Sequence, residues 1–453
     1  MAVPLKNVSA PGYAEDTPTT TDTRAMTVAA VIFFAFGFLT CLNDIISPHL
    51  RSIFFLDYSQ MQSIPFFFFG SYFVFSYPSG KLVEKLGYKK ATVVGLLVMA
   101  AGALGFLPAA QMASFHMFLA AVVIVAAGMT AVQVAMNPYV TVIGPPQTAA
   151  SRLNLVQAFN SVGTFIAPVV GTWLILRNAK PPLTTEQAHV LTALQQQLYR
   201  VEQASTVRTP YLIFALCLGL LALALALIKL RTTTGVSQHT QDFRPGAFAE
   251  ALTAKPDSIW RHPWLICAAI GIFLYVGAEV SIGNLLVSYM GLPNIAALPA
   301  ATAGYFLTVY WGGAMVGRFI GSAILQKVRT GWLLGLCAIG AFALVIITLL
   351  TSGHVAMGAI LAVGFCNSIM FPSIFTLGIQ DLGPLTSKGS SLLIASILGG
   401  AIIPKVQGIL ANHIGLQPSF ILPAICYIYI AIFGIMAIRR PVARDTLIPV
   451  EPV

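Results

Sequence analysis

Of the fifteen carboxylates in this chain, two stand inside long apolar segments: Asp44 in FGFLTCLNDIISPHL and Glu279 in FLYVGAEVSIGNLL. Each follows a phenylalanine by six residues, Phe38 and Phe273. A charge at membrane depth costs about 3 kcal/mol or more and persists where it faces a cavity and has a task. Amides gather near the first of them. Gln133 and Asn137 are spaced i,i+4 and share one helix face. Asn154, Gln157 and Asn160, in RLNLVQAFNS, step by three and drift over about a third of the helix circumference. With Asn43 beside Asp44 these make a set of amides and one carboxylate, which both donates and accepts hydrogen bonds. Such a set suits a polyhydroxylated neutral ligand; no stripe of Arg or Lys joins it, so it suits an anion poorly. The alternative use is interhelical amide bonding, worth under about 2 kcal/mol each.

The later part of the chain adds aromatic planes. Tyr275 and Glu279 are spaced i,i+4, and Tyr310, Trp311, Asn367 and Phe371 supply rings and a further amide. Sugar rings stack their C–H faces on aromatics while their hydroxyls take amides. Asn284 falls about 140° round the helix from Glu279, so it shares a cavity only where the helix bends near Gly283. The run Phe66–Phe69 covers every face of its helix and reads as packing or lipid-facing. Two cations also lie within spans. Arg318, in VYWGGAMVGRFIGS, is expected at an inner gate, and Lys405, in GGAIIPKVQG, lines the cavity or pairs with a carboxylate.

The elements that must position these groups follow from composition. Across 453 residues, 57% are hydrophobic and 9% charged, with a mean hydropathy of +0.82. Soluble domains carry about a quarter charged residues, so that class is excluded. Apolar runs of about 20 residues or more are long enough to cross a bilayer as helix. They predict twelve spans, at roughly 26–50, 60–80, 90–109, 115–143, 154–176, 209–230, 263–290, 298–325, 331–351, 355–380, 388–411 and 416–438. The expected division is a disordered cytoplasmic tail (1–25), a six-helix bundle (26–230), a cytoplasmic linker (231–262), a second bundle (263–438) and a tail (439–453). A Gln/Leu-rich stretch within 177–208 predicts a short external helix. Most Lys and Arg fall on the side of the two termini; Arg51, Arg177, Lys180, Arg200 and Arg208 fall on the other. The positive-inside rule therefore puts both termini in the cytoplasm. The formal charge of +10 is a topology signal, and no nucleic-acid partner is expected. The six cysteines lie in apolar runs and read as core residues. No metal-ligand cluster is apparent, so no cofactor and no enzymatic chemistry are expected.

The two halves repeat. Gln133 precedes Pro138 by five residues in the fourth span, and Asn367 precedes Pro372 by five in the tenth. Gly163 precedes Pro168 by five in the fifth span, as Gly399 precedes Pro404 in the eleventh. With the Phe38/Asp44 and Phe273/Glu279 match, three span pairs agree at an offset of six. Parallel repeats of this kind imply alternating access, with a substrate site between the halves near mid-membrane.

Between the second and third spans, Gly80-Lys-Leu-Val-Glu84-Lys85-Leu-Gly87-Tyr88-Lys89-Lys90 resembles the loop pattern of the major facilitator superfamily. Gly80 allows close helix approach there, and Glu84 and Lys85 become gate candidates. LNDIISPHL, NPYVTVIG, RLNLVQAFNSVGT, YVGAEVSIGNLLV and NSIMFPSIFTLGIQDLG are similar to the fucose–galactose–glucose:proton symporter family, in particular its bacterial glucose/galactose permeases. The resemblance implies that Asp44 couples a cation. It implies that Gln157 and Asn160 bind sugar, and that Gln133 stands where the related fucose permease has a glutamate. Phe371 replaces a tyrosine, Glu279 belongs to the glucose/galactose pattern, and Lys405 receives no role. A two-carboxylate proton relay is therefore not carried over intact.

The expectation is an all-α carrier of the bacterial inner membrane, in the major facilitator fold. It would import a glucose- or galactose-type hexose by alternating access, as a monomer among membrane lipid. Asp44 is expected to couple a proton; Asn43, Gln133, Asn137, Gln157, Asn160, Tyr275, Glu279, Asn284, Asn367 and Phe371 are the expected sugar contacts. Gly80, Glu84, Lys85 and Arg318 are expected to gate. Open alternatives are an N-acetylglucosamine or mannose carrier, coupling to sodium or to nothing, and a non-transporting sugar sensor.

Overall fold

The computed structural model describes residues 20–54, 63–171, 191–228 and 258–440. Within its helices the side chains of 41–49, 51–52, 63, 168–169, 171, 193 and 300–301 lie outside the description. All regular structure among the described residues is helical. The N-terminal half contains α1 (Thr23–Phe54), α2 (Ser63–Gln111), α3 (Phe115–Val142), α4 (Ala149–Gly171), α5 (Ala193–Ser205) and α6 (Arg208–Leu227). The C-terminal half contains α7 (Pro263–Met290), α8 (Ala300–Ile324), α9 (Thr330–Leu350), α10 (Gly353–Asn367), α11 (Met370–Ile379), α12 (Thr386–Ala395), α13 (Gly399–Ile414) and α14 (Ile421–Arg439). Most of the expected linker and both tails fall outside the described residues.

The second and third spans are one continuous element, α2, which reverses direction at Gly87 with φ 75° and ψ 169°. A side chain there would be strained, and glycine takes that conformation freely. The external helix is α5. Its start is a capping box: Thr192 N donates to Gln195 Oε1 at 2.9 Å, and Gln195 N donates to Thr192 Oγ1 at 3.4 Å. The tenth and eleventh spans, expected as single helices, are each broken. The tenth stops at Asn367 and resumes at Met370; the eleventh passes through a 3₁₀ turn, Ser396–Leu398, just before Gly399. Counting each arm of α2, and taking α10/α11 and α12/α13 as one span each, the described helices make twelve crossings in two sets of six. The turn at Gly87, the 143–148 and 325–329 connections and both ends of the described chain share one side, the terminal face. There Asp22 N donates to Ile143 O at 3.0 Å, and Arg440 pairs with Asp381 at 3.6 Å.

The repeat has a physical basis. A methyl group at Gly163 of α4 would overlap the Phe34 carbonyl of α1, and one at Gly399 of α13 would overlap the Phe273 carbonyl of α7. Small residues at these crossings let the backbones touch, which is how helices associate in lipid. Nine stretches of the described residues are long and apolar enough to cross a membrane. α4 and α8 are not among them, and these two pack against each other between the halves. Ser151, Asn154, Arg318 and Ser322 meet across that contact. The phenylalanine run divides as its all-round placement requires. Phe66 and Phe67 are exposed, while Phe68 is buried against Tyr72 at 5.5 Å between centroids. The five described cysteines are free thiols.

Candidate functional site

In the N-terminal half the amides form one chain of contacts. Asn137 Nδ2 donates to Gln133 Oε1 at 3.1 Å, one turn away on α3, and Gln157 Nε2 on α4 reaches Asn137 Oδ1 at 3.5 Å. Tyr72 of α2 joins through its hydroxyl to Gln133. Asn137 is fully enclosed, whereas Gln133 and Gln157 each keep 7% of their surface. Buried amides must be paired in so apolar a setting, and this chain satisfies that need while leaving the outermost groups at the edge of the half. Asn160 lies one turn beyond Gln157, half-buried beside Gly37. α1 carries Asn43 and Asp44, whose side chains lie outside the described residues.

The C-terminal half spends its polar groups on itself. Three buried tyrosines surround Asn367, which is 0% exposed. Tyr275 Oη donates to its carbonyl at 3.1 Å, Tyr427 Oη donates to its Oδ1 at 2.8 Å, and its Nδ2 donates to Tyr310 Oη at 2.9 Å. Tyr310 Oη in turn donates to the Glu279 carbonyl oxygen at 3.5 Å. Asn367 and Tyr275, expected as sugar contacts, therefore hold α7, α8, α10 and α14 together in this arrangement. Glu279 is 9% exposed, and its Oε1 is buried without a partner. Phe371 is buried and stacks on Phe375 at 6.1 Å. α7 runs unbroken past Gly283, so Asn284 is exposed on a different face and does not join Glu279.

The halves meet on the terminal-face side. Ser151 Oγ donates to Ser322 O at 2.7 Å and Ser322 Oγ returns a bond to Ser151 O at 3.1 Å. Asn154 Nδ2 donates to Arg318 O at 2.7 Å. Ser387 Oγ donates to Gly80 O at 2.9 Å, and a methyl at Gly80 would overlap Ser391 Oγ. The repeated prolines take part. Pro138 and Pro372 lack the N–H that would bond four residues back, which frees the carbonyls of Val134 and Ser368. Val134 O accepts from Ser390 Oγ at 3.0 Å across the halves, and Ser368 O accepts from Arg318 Nε at 3.1 Å. Arg318 also reaches into the other half, donating from Nη1 to Gln157 O at 3.3 Å and to Ser161 Oγ. All of these bonds lie in the terminal-face part of the helices or at the level of Gln157. The molecule is shut on the terminal face.

Glu84 is half-buried and Lys85 exposed at the end of the first arm of α2. Their neighbour Lys89 donates to Ala226 O at 2.9 Å, closing the end of α6. Lys405 is exposed on α13. Its helix turns Ala401, Gly408 and Asn412 to the same side and Ile402, Val406 and Ile409 to the next. Arg152, counted from sequence only as an inside charge, is 4% exposed. Its guanidinium donates to the carbonyls of Val140 (3.1 Å), Thr141 (2.6 Å), Gly144 (3.1 Å) and Pro145 (2.8 Å). A cation there complements the negative end of α3. Tyr72, Tyr427 and the gate serines were likewise not singled out by sequence. The pattern Ser387-x-x-Ser390-Ser391 in a membrane span was the available signal.

Similarity to known proteins accords with this architecture. Residues 28–395 match the Major Facilitator Superfamily model. The glucose/galactose transporter of Brucella abortus is 45% identical over 413 residues, covering 91% of this chain and 93% of that protein. The L-fucose-proton symporter of Escherichia coli is 35% identical over 408 residues, covering 89% of this chain and 90% of the other. The crystal structure of the major facilitator transporter FucP in the outward conformation superposes with a TM-score of 0.80. Its identity is 32%, over 91% of this chain and 98% of that one. The chain belongs to the major facilitator superfamily.

Proposed function

We propose that the protein is a sugar–proton symporter of the bacterial inner membrane that imports glucose- and galactose-type hexoses by alternating access. The observation that carries this reading is the asymmetry of closure. Every hydrogen bond between the halves described above lies toward the terminal face or at the level of the amide chain of Gln133, Asn137 and Gln157. Taking the basic residues as cytoplasmic, the terminal face is the inside and the halves are bonded together on that side. The names of the similar proteins support a hexose and a proton.

Gln133, Gln157 and Asn160 are the primary sugar contacts, since their side chains keep surface at the edge of the N-terminal half. Asp44 is the coupling residue. Phe371 offers a ring plane from the opposite half. Gly80 lets α2 and α12 touch when the inner side is shut.

Counterflow and accumulation in proteoliposomes test this. Glucose, galactose, mannose and N-acetylglucosamine should be compared with and without sodium and with an inward proton gradient. Glucose and galactose are expected to exchange, and an acid exterior to drive accumulation without sodium. Asp44→Asn is expected to keep counterflow and lose accumulation. Unchanged proton-driven accumulation in that variant would remove the assignment of Asp44. A strict requirement for sodium would replace the proton.

A further inference from the structure

We infer that Glu279 and Arg318 form a proton-operated release for the terminal-face gate, with Arg318 changing partners between the halves. The inference rests on the alternating-access reading above, and on neither the identity of the sugar nor the role of Asp44. It gives Glu279 a task other than sugar contact.

Arg318 is the one cation seen to bond across the closed gate among the described residues. It sits on α8 of the C-terminal half, yet two of its acceptors, Gln157 O and Ser161 Oγ, belong to α4 of the other half. The third, Ser368 O, is the carbonyl that Pro372 leaves without its helical donor. None of the three is a carboxylate. The guanidinium charge is met by dipoles, part of which the gate supplies only while it is shut.

Glu279 is the complementary anomaly. Its side chain keeps 9% of its surface, one carboxyl oxygen is buried and meets no partner, and the carboxyl's hydrogen-bonding neighbour is the Tyr275 hydroxyl. An ionised carboxylate with an orphaned oxygen would be heavily penalised in such a site. The protonated acid is the form that fits the closed gate. Groups on four helices lie near it. Tyr275 lies on its own helix, Tyr310 and Arg318 on α8, Asn367 on α10 and Tyr427 on α14. The segment α11 carries no titratable residue, and Lys405 on α13 is exposed. Among the described residues, Arg318 is thus the charged group within electrostatic reach of Glu279.

Opening the terminal face must draw α4 away from α8, and Arg318 then loses Gln157 O and Ser161 Oγ. A guanidinium deprived of these acceptors is best met by an anion on its own half, and Glu279 supplies one by releasing its proton to water on the newly opened face. Closing reverses both steps: the proton returns from water to Glu279, and Arg318 goes back to α4. Each state satisfies the cation in a different way, and the proton on Glu279 selects between them. Acid therefore favours the shut terminal face and alkali the open one.

The test is a spin-label distance measurement on the full chain in nanodiscs, without sugar. Labels replace Lys90 and Lys327, exposed on the terminal face of the two halves, in a background with the native cysteines substituted. With Glu279 and Arg318 intact, the distance should lengthen as pH rises. Glu279→Gln should hold the short distance at every pH, and Glu279→Asp should restore the response with a displaced midpoint. A wild-type pH response in Glu279→Gln overturns the proposal. Where that variant does not fold, an unchanged midpoint in Glu279→Asp overturns it equally. A pH-independent distance with both residues intact sinks this inference while sugar counterflow survives. Absent hexose counterflow with an intact distance response sinks the substrate reading alone.

Discussion

The two halves of the molecule carry the same motif and use it differently. An amide precedes a mid-helix proline by five residues in each, Gln133 before Pro138 and Asn367 before Pro372. The proline has the same effect twice, freeing a backbone carbonyl that the closed gate then occupies: Val134 O takes Ser390, and Ser368 O takes Arg318. The amide does not behave alike. Gln133 keeps 7% of its surface within a chain of amides, whereas Asn367 is sealed beneath Tyr275, Tyr310 and Tyr427. The two halves share the backbone function and differ in what the side chain does. One half kept spare hydrogen-bonding capacity at its edge; the other converted it into scaffold.

That contrast is open to attack, most strongly at Asn367. In Asn367→Ala, Tyr310 and Tyr427 each lose a partner in an enclosed site, with an expected loss of about 2–4 kcal/mol in stability. The thermal unfolding midpoint in detergent should fall sharply, and sugar affinity of the surviving protein should change little. Gln157→Ala should show the reverse. Affinity in sugar-binding measurements should weaken about tenfold, equivalent to about 1.4 kcal/mol, with stability nearly unchanged. If Gln157→Ala proves the more destabilising of the two, the division into a binding half and a scaffold half is wrong.

The smallest effect concerns the shared part of the motif. Ser390→Ala removes one neutral bond to the carbonyl that Pro138 freed, worth about 0.6 kcal/mol, or a factor of about three in the shut-to-open ratio. The distance distribution between labels at positions 90 and 327 should broaden toward longer values. An unchanged distribution would mean that the freed Val134 carbonyl contributes nothing to closure.

Much of the fold was legible in the residues before any coordinates. Apolar run length pointed to the twelve crossings, including α4 and α8, which are less apolar than the rest; crossing a bilayer is a requirement on each segment separately. The Gly163/Pro168 and Gly399/Pro404 repeat pointed to paired crossings, and the structure supplies the reason in the carbonyls of Phe34 and Phe273. The breaks in the tenth and eleventh spans were missed, although Pro372 and Gly399-Gly400 were in view, because hydropathy is blind to backbone geometry. Within the candidate site, the amides were found by type and spacing. Tyr72, Tyr427 and Arg152 were not, because tyrosine in a span and arginine at its end are ordinary by composition. Their partners alone make them informative.

The chain's own order thus determined what depends on near neighbours: which segments cross, where prolines release carbonyls, and which half carries amides or aromatics. The tertiary structure decided what depends on distant ones. Ser387 meets Gly80 across 307 positions, and Ser390 meets Val134 across 256. A freed carbonyl is a local consequence of proline chemistry, but its acceptor role is completed only by a donor distant in sequence, Ser390 for Val134 O and Arg318 for Ser368 O. Glu279 shows the same division. That it is a carboxylate in an apolar span is plain from sequence, while its orphaned oxygen and the nearness of Arg318 arise only when α7 and α8 are packed together, because burial and electrostatic reach are properties of the assembled helices.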